Sequence, residues 1–501
     1  MTDPIDQLGD VDEALDLVHE AASRYIASLP ERPVRPPSAE LIAPTLGGTL
    51  PEDGDGTLAT LRELIDAGTD AAIGSAGGRF FHFVVGGATP AALAAEWLTA
   101  ALDQNTGMWA ASPFGAGMEV VAIDWLKQLF ALPASWGGVL VTGGTMANYV
   151  GLAAARRWWA LQHDVDIDEE GWTGLPCLPV FGSGIIHASS VKALGMLGIG
   201  RRRVTTLTRD SVGRLDLQAL ESALGSLHGA PAVIVATAGD PNTGDFDPVR
   251  QIVDLARAHN AWVHVDGAFG LFARLSPNTS QLVDGLEEAD SAASDGHKWL
   301  NVPHDCGFAF VRDEGLLRGA FGSSAAYYVG GGVDQPNFAL MAPESSRKAR
   351  AFAVWATLRA YGRAGYQAMV ERHVALARRV AQRVDEADDL ERLADVQLNV
   401  VCFRYRPAGV PEEELDALNQ RLGEAVLADG RVYVGTTTYG GRVAFRPAIV
   451  NYRSTEADVD LLVAVIRELG ASLHGGGNRG FAASGGAGRF APSGGVASLG
   501  G

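Results

Sequence analysis

The chain has 501 residues, 47% of them hydrophobic and 20% charged, enough apolar material for a large buried core and for more than one compact domain. Its 40 Lys and Arg against 59 Asp and Glu leave a formal charge of −19. That excess repels phosphate backbones and anionic lipid, so no nucleic-acid or membrane partner is expected, although a local basic pocket for one small phosphate is not excluded.

In chain order, the N-terminus MTDPIDQLGD is acidic and shows neither a basic nor an apolar leader, which points to the cytoplasm. Helical spacing from Val11 to Leu29 is stopped by Pro30, Pro33, Pro36 and Pro37, giving an N-terminal helical arm over residues 1–75. The uncharged run from Phe80 to Ala95 is broken by Gly86, Gly87 and Pro90 and is shorter than the roughly 20 residues of a membrane span, so it reads as core. From Gly138 onward the runs GVLV, GIIH, RVTTL, AVIVAT and WVHVD alternate with helix-period stretches at Ala147–Trp159, Leu215–Leu227 and Val249–His259. This alternation is that of βαβ units on a parallel sheet, extended by runs at Asp290–Ser294 and Gly307–Val311, and it defines a large domain over 76–344. Residues Ser345–Val384 read as a helix pair broken at Gly362 and Gly365. LNVVCFRY, a helix near Glu412–Ala428, RVAFRPAIV and a closing helix over Glu456–Leu469 follow, making a small C-terminal α/β domain over 345–472. The Gly/Ser/Ala-rich residues 473–501 lack apolar periodicity and read as a flexible tail.

Three cysteines, Cys177, Cys306 and Cys402, are too few and scattered for a disulfide framework or a zinc site, and no metal is expected. Lysines are also scarce: Lys127, Lys192, Lys298 and Lys348 are the only amines available to chemistry, because arginine keeps its proton. Lys298 follows a strand end in SDGHKW, among apolar and aromatic neighbours that favour a reactive amine. Lys127 falls on the polar side of the helix around VVAIDWLKQLF, Lys348 lies in basic SSRKAR, and Lys192 is the one rival. In VTGGTMAN, Gly143, Gly144 and Thr145 stand between a strand and a helix, where bare amides suit an anion. The same turn would serve equally as an ordinary connection capped by Thr145. Asp266 ends a buried strand in HVDGAFG, either as a local cap or as counter-charge to a protonated ring nitrogen. His187, after GIIH, is either a satisfied interior group or a stacking face. In this order the residues supply a phosphate turn, a ring face, a ring-nitrogen partner and an imine lysine, the inventory for pyridoxal phosphate.

The motifs SDGHKWLNVPHDCG, HVDGAFG, HASSVKALGMLG, TGGTMAN and WAASPFGAGMEVVAIDWL resemble those of the group II pyridoxal-phosphate decarboxylases, which include aromatic-amino-acid, glutamate and tyrosine decarboxylases. The resemblance covers Phe80 to Leu469. It implies the aspartate-aminotransferase fold type, an α/β architecture with a large, mainly parallel sheet domain and a small C-terminal domain. It further implies that Gly143, Gly144 and Thr145 bind the phosphate, His187 stacks on the pyridine ring, Asp266 pairs with its nitrogen and Ala268 packs beside it. Lys298 would form the imine with His297 next to it, Tyr327 (or its neighbour Tyr328) would protonate the substrate carbon from a closing loop, and Arg446 would contact a substrate carboxylate. The family's homodimers share active sites, so Phe81–Phe83 and Asn105–Trp109 would line the pocket, with Phe83 and Trp109 toward the substrate. Phe83 stands where glutamate decarboxylases carry a polar residue, which leans toward an aromatic or bulky apolar amino acid. GDPNTG departs from the family, with Asp240 and Pro241 in place of threonines. The expected activity is conversion of an L-amino acid to its amine and carbon dioxide. The alternatives are an aminotransferase, an aldehyde-forming oxidative decarboxylase, which Tyr327 argues against, and a non-catalytic cofactor-holding protein.

Overall fold

A strand that is apolar on both faces must be covered on both faces, and that requirement organises the molecule. In a computed structural model, which describes residues 3–40, 46–322 and 335–475, one sheet is built from β1 (Gly137–Val141), β2 (Val180–Gly182), β3 (Val204–Thr206), β4 (Ala232–Thr237), β5 (Ala261–Asp266), β6 (Ser291–Asp295) and β7 (Gly307–Val311). The strand order is β1-β7-β6-β5-β4-β2-β3, with β7 antiparallel to both neighbours and the other pairings parallel. Every residue of β1, β4, β5, β6 and β7 is buried, whereas the edge strand β3 faces solvent. Tyr327, Tyr328 and the residues from 476 onward lie outside the described residues.

The run GIIH is not a strand. The strand of that unit is the upstream Val180–Gly182, and Ile185 and Ile186 are half-buried in the turn after it. Gly184 N–H donates to Gly213 O at 2.8 Å, which draws the chain off the sheet and delivers His187 as the cap of the helix Ala188–Met196.

β1 and β6 are both antiparallel to β7, so they run the same way as β5, β4 and β2. Their C-terminal ends therefore share one edge of the sheet, the edge at which α/β proteins bind ligands. Leaving that edge, the chain passes into Gly143–Thr145, His187, Asp240, Asp266 and Lys298. Around the sheet lie α1 (Val11–Ser28), α2 (Thr57–Ala71), α3 (Pro90–Leu102), α4 (Pro113–Phe130) and α5 (Gly144–Leu161), the last packed across β6 and β7. Lys127 on α4 is buried rather than on a polar face. Its ammonium donates to Ala134 O (2.9 Å) and Trp136 O (3.0 Å) and pairs with Asp124, tying the helix end to the turn that feeds β1.

A second, antiparallel sheet runs β10-β11-β9-β8, with β8 (Leu390–Arg392), β9 (Phe403–Tyr405), β10 (Thr436–Tyr439) and β11 (Arg442–Phe445). It packs with helices Glu412–Asp429 and Glu456–Gly475 and with the long helix Ala351–Asp385 around Phe403, Leu422, Val426, Phe445 and Ile466. The long helix breaks at Gly362 (φ 60°), while Gly365 stays helical. Phe81 belongs to this second core, and its N–H donates to Tyr433 O at 2.8 Å. His82 and Phe83, just after Phe81, and Arg446, just after β11, thus come from the second layer.

His373, on the long helix, is fully buried, and its Nδ1 accepts from Trp299 Nε1 at 2.8 Å. Burial, and then the charge of Arg372, lower its pKa from 6.5 to about 3. Below pH 6.5 the unfolded chain takes up a proton that the folded chain refuses, so this contribution to stability is complete above pH 6.5 and is lost as pH falls toward 3. His373→Gln keeps an acceptor for Trp299 and does not titrate. Its unfolding free energy, from urea melts, should decline less steeply than that of the parent below pH 6.5, by about 1.4 kcal/mol per pH unit. Parallel profiles would contradict this assignment.

Candidate active site

Asp266 closes β5 and is only 4% exposed. Its Oδ2 accepts from Asn148 Nδ2 and from Ser190 Oγ, both at 2.8 Å, and its Oδ1 from Ala268 N at 3.3 Å. Bonds to a charged acceptor are worth about 1.5–3 kcal/mol each. Behind Asn148 the bonding has one direction. The Trp262 indole can only donate, so Ser291 Oγ accepts from it (2.9 Å) and passes its own proton to His264 Nδ1 (2.8 Å). His264 Nε2–H then donates to Asn148 Oδ1 at 2.9 Å. Complete burial lowers the His264 pKa to about 4, against the opposing pull of Asp266, so the ring is neutral, as this bonding requires. The remaining Asn148 N–H donates to Ser189 Oγ (3.0 Å), which in turn bonds His187 Nδ1 at 2.6 Å. Ser189 N–H also points to that nitrogen (3.2 Å), so Nδ1 is the acceptor and Nε2 carries the proton. The His187 side chain is exposed at this end of the sheet. Loss of solvent lowers its pKa; Asp266 opposes this, while Lys298 and Arg446 add to it.

Lys298 sits in a single π-turn, Gly296–Leu300, directly after β6. Asn301, in a left-handed conformation, pins the turn through Nδ2 to the carbonyls of Lys298 (3.2 Å), Trp299 (3.0 Å) and Val450 (2.9 Å). Lys298 Nζ lies 3.5 Å from Asp295 Oδ2 and 5.7 Å from the centre of the Phe269 ring. Its surroundings are thus an acid and an aromatic face, not apolar groups alone. His297 Nδ1 donates to Cys306 O (3.1 Å), and its ring stacks on His304 at 4.2 Å. Burial first, and then the Lys298 charge, lower the His297 pKa to about 4. Across the sheet, Gly143 rather than Thr145 is the N-cap of α5, and no side chain of its own caps the helix. A Cβ on Gly144 would stand 2.5 Å from Asp295 Oδ2, so only glycine admits that carboxylate.

From the second layer, Arg446 Nη1 donates to Pro241 O at 3.3 Å, and His187 and His82 both feel its charge. Burial lowers its own pKa, with Asp240 opposing. Asp240, in the unusual GDPNTG turn, directs Oδ2 back to Thr243 N and Oγ1 (both 2.9 Å) and to Asn242 N (3.1 Å). Burial raises its pKa to about 6 against those bonds. The departure from the family thus makes a self-capped turn whose carbonyl holds Arg446. Phe83 is 58% exposed, adopts a left-handed φ of 56°, and sits edge-on to His82 with centroids 3.9 Å apart. Its segment is tied to the lysine turn: Gly86 N–H donates to His297 O at 3.1 Å, and a Cβ on Gly86 would collide with Lys298 O. Trp109 is placed by other contacts, its N–H donating to Asn337 Oδ1 at 3.2 Å and its ring packing on the large core. Lys192 is exposed on the helix Ala188–Met196, and Lys348 pairs with Glu96.

The structure thus brings Gly143–Thr145, His187, Asp266, Ala268, His297 and Lys298 to one sheet edge, with Arg446 near His187 and the Phe83 segment tied to the lysine turn through Gly86. It also brings Asn148, Ser190, His264 and Asp295, which motif reading passed over although each lies inside a quoted motif or beside one. A lysine amine, a buried and donor-fed carboxylate, an open ring face and a helix N-terminus are the donor set that pyridoxal phosphate requires. Among the described residues, no cluster of His, Cys, Asp or Glu could hold a metal ion, and no helix is long and apolar enough to cross a membrane.

The class of protein this fold and site define is a pyridoxal-phosphate enzyme of fold type I. More narrowly, residues 72–406 match the pyridoxal-dependent decarboxylase conserved domain, and the chain belongs to that family of carboxy-lyases. It is 32% identical over 432 residues to L-2,4-diaminobutyrate decarboxylase of Rhizobium meliloti (strain 1021), covering 85% of this chain and 84% of that one. Tryptophan decarboxylase 1 of Oryza sativa subsp. japonica is 30% identical, over 78% of this chain and 80% of its own. The crystal structure of Oryza sativa TDC with PLP and tryptamine superposes with a TM-score of 0.86 at 28% identity, over 94% of this chain and all of that one. The chain is therefore a pyridoxal-phosphate-dependent amino-acid decarboxylase.

Asn148 joins Asp266, His264 and, through Ser189, His187. Asn148→Ala should leave the His264 and Asp266 partners unmet at a cost of about 1–3 kcal/mol each, lowering the melting temperature of the apoprotein and weakening cofactor binding. Both are read by calorimetry and by cofactor absorbance. Unchanged melting and affinity would show that the hub does not support the site.

Proposed function

We propose that the chain converts an L-amino acid with an aromatic or bulky apolar side chain to its amine and carbon dioxide, acting as a cytoplasmic homodimer. The observation that carries the site assignment is the convergence of Asp266 and Lys298 on one sheet edge, with Asp266 fed by donors from three segments. Lys298 would hold the aldehyde carbon of the cofactor, Asp266 its ring nitrogen, His187 its ring face with Ala268 on the other side, and Gly143, Gly144 and Thr145 its phosphate, with His297 alongside. When bound, the cofactor supplies a sink for the electrons left as carbon dioxide departs. Arg446 would orient a substrate carboxylate from the second layer, while Phe83 and Trp109 would receive the side chain. Exposed Phe83 beside His82, and the tryptophan-decarboxylase relative, support the aromatic reading. A diamino acid is the second reading, favoured by the diaminobutyrate decarboxylase relatives from Rhizobium meliloti and Acinetobacter baumannii.

The dimer is supported by apolar side chains left in solvent on the arm, Ile5, Leu8, Val11 and Leu15, which a second copy would cover. Sedimentation should give a dimer, and a fully active monomer would refute it. Amine and carbon dioxide should form from tryptophan, tyrosine or phenylalanine. Turnover of 2,4-diaminobutyrate alone would move the assignment to the second reading, and a keto acid as product would point to transamination. The resemblance gives Tyr327 the proton that completes the product. Tyr327→Phe should still release carbon dioxide but lose amine yield and, in air, form aldehyde and ammonia. Normal amine yield from this variant and from Tyr328→Phe would end that role.

A further inference from the structure

Asp295 is the last residue of β6, only 4% exposed, and it lies against the turn assigned above to the phosphate. Gly144, in the first turn of α5, lies directly against its carboxyl group, where a Cβ would stand 2.5 Å from Oδ2. Its Oδ2 is 3.5 Å from Lys298 Nζ, while its Oδ1, 3.4 Å from His297 Nδ1, is buried without a hydrogen bond. Around it stand Lys298 and His297 on its own segment, His304 stacked on His297, Asp266 on β5, His187 after β2 and Cys306 just before β7. Of these, Lys298 is the one basic residue besides the histidines. His297 is neutral near pH 7, and its Nδ1 proton is committed to Cys306 O.

A carboxylate and a phosphate dianion cannot share one helix N-terminus without strong repulsion in so dry a place. We propose that Asp295 couples cofactor binding to protonation: its carboxyl takes up a proton from solvent as the phosphate of pyridoxal phosphate enters the Gly143–Thr145 turn, and in that form donates a hydrogen bond to it. The inference rests on the phosphate reading of that turn. Burial already raises the Asp295 pKa, Lys298 and Gly144 opposing, so part of the protonation cost is met by the fold. In the free protein the same carboxylate holds Lys298 and the turn in register.

Linkage gives the sign. A proton taken up on binding weakens binding as pH rises, by up to about tenfold per unit once the apoprotein form is ionised. Imine formation at Lys298 has its own pH dependence, which pyridoxal, lacking the phosphate, shares. The readout is therefore the affinity ratio of pyridoxal phosphate to pyridoxal above pH 7, where the phosphate, with a second pKa of about 6, is already a dianion. In the parent protein this ratio should fall as pH rises, with proton uptake visible in binding heats measured in buffers of different ionisation enthalpy. In Asp295→Asn, which donates without titrating, the ratio should be flat and higher at alkaline pH. A flat ratio in the parent, with no uptake beyond that of pyridoxal, would overturn the inference even if the variant does not fold. Gly144→Ala separates the two readings. If it abolishes the preference for pyridoxal phosphate while the parent ratio is flat, only the proton coupling fails. If it leaves the preference intact, the phosphate turn itself is wrong and the inference falls with it.

Discussion

A carboxylate taken out of water must be answered by donors, and around Asp266 that demand organises much of the molecule. Its bonds to Asn148, Ser190 and Ala268 come from α5, from the helix after β2 and from its own turn. They fix those elements relative to β5 more tightly than apolar packing alone would, because each bond has a direction as well as a distance. Asn148 can serve only because neutral His264 donates to its oxygen, and His264 can do so only because Ser291 and Trp262 supply a proton on its far side. One acid at the strand end thus orients a chain of residues running back through the core, in which burial keeps His264 neutral.

The lysine is fixed by a different device. A π-turn places the side chain of Lys298 at the sheet edge, and Asn301 fastens the turn to the second layer through Val450 O and Tyr452 N–H. Gly86 packs directly on the Lys298 carbonyl, so the segment bearing His82 and Phe83 cannot shift without moving the lysine. The two layers therefore meet at Lys298: the parallel sheet carries Asp266, Asp295 and the α5 N-terminus, and the second layer carries Arg446 and Phe83.

Much of this was legible in the sequence because buried parallel strands are written as short apolar runs. AVIVAT and WVHVD became β4 and β5 almost residue for residue. GIIH failed because two β-branched residues look the same in a turn as in a strand. What removed them from the sheet is the contact of Gly184 with Gly213, which is invisible in a local window. Lys127 failed similarly, its helical position reading as solvent-facing while the carbonyls of a following turn draw its ammonium inward. Lys298, Asp266 and His187 could be picked out because each ends or follows a strand in a chemically suggestive motif. Asn148, His264 and Asp295 could not, since a buried polar residue declares itself only through a partner distant in sequence, such as the 118 residues separating Asn148 from Asp266.

The central claim is that the donor-fed Asp266 carboxylate faces the ring nitrogen of pyridoxal phosphate and keeps it protonated. Nitrogen-15 NMR of the holoenzyme, reconstituted with cofactor labelled at the ring nitrogen, reads that proton directly. The account predicts the chemical shift of a protonated pyridine across pH 6 to 8, with its loss in Asp266→Asn. A neutral-pyridine shift in the parent protein, or a protonated one that survives Asp266→Asn, would contradict it.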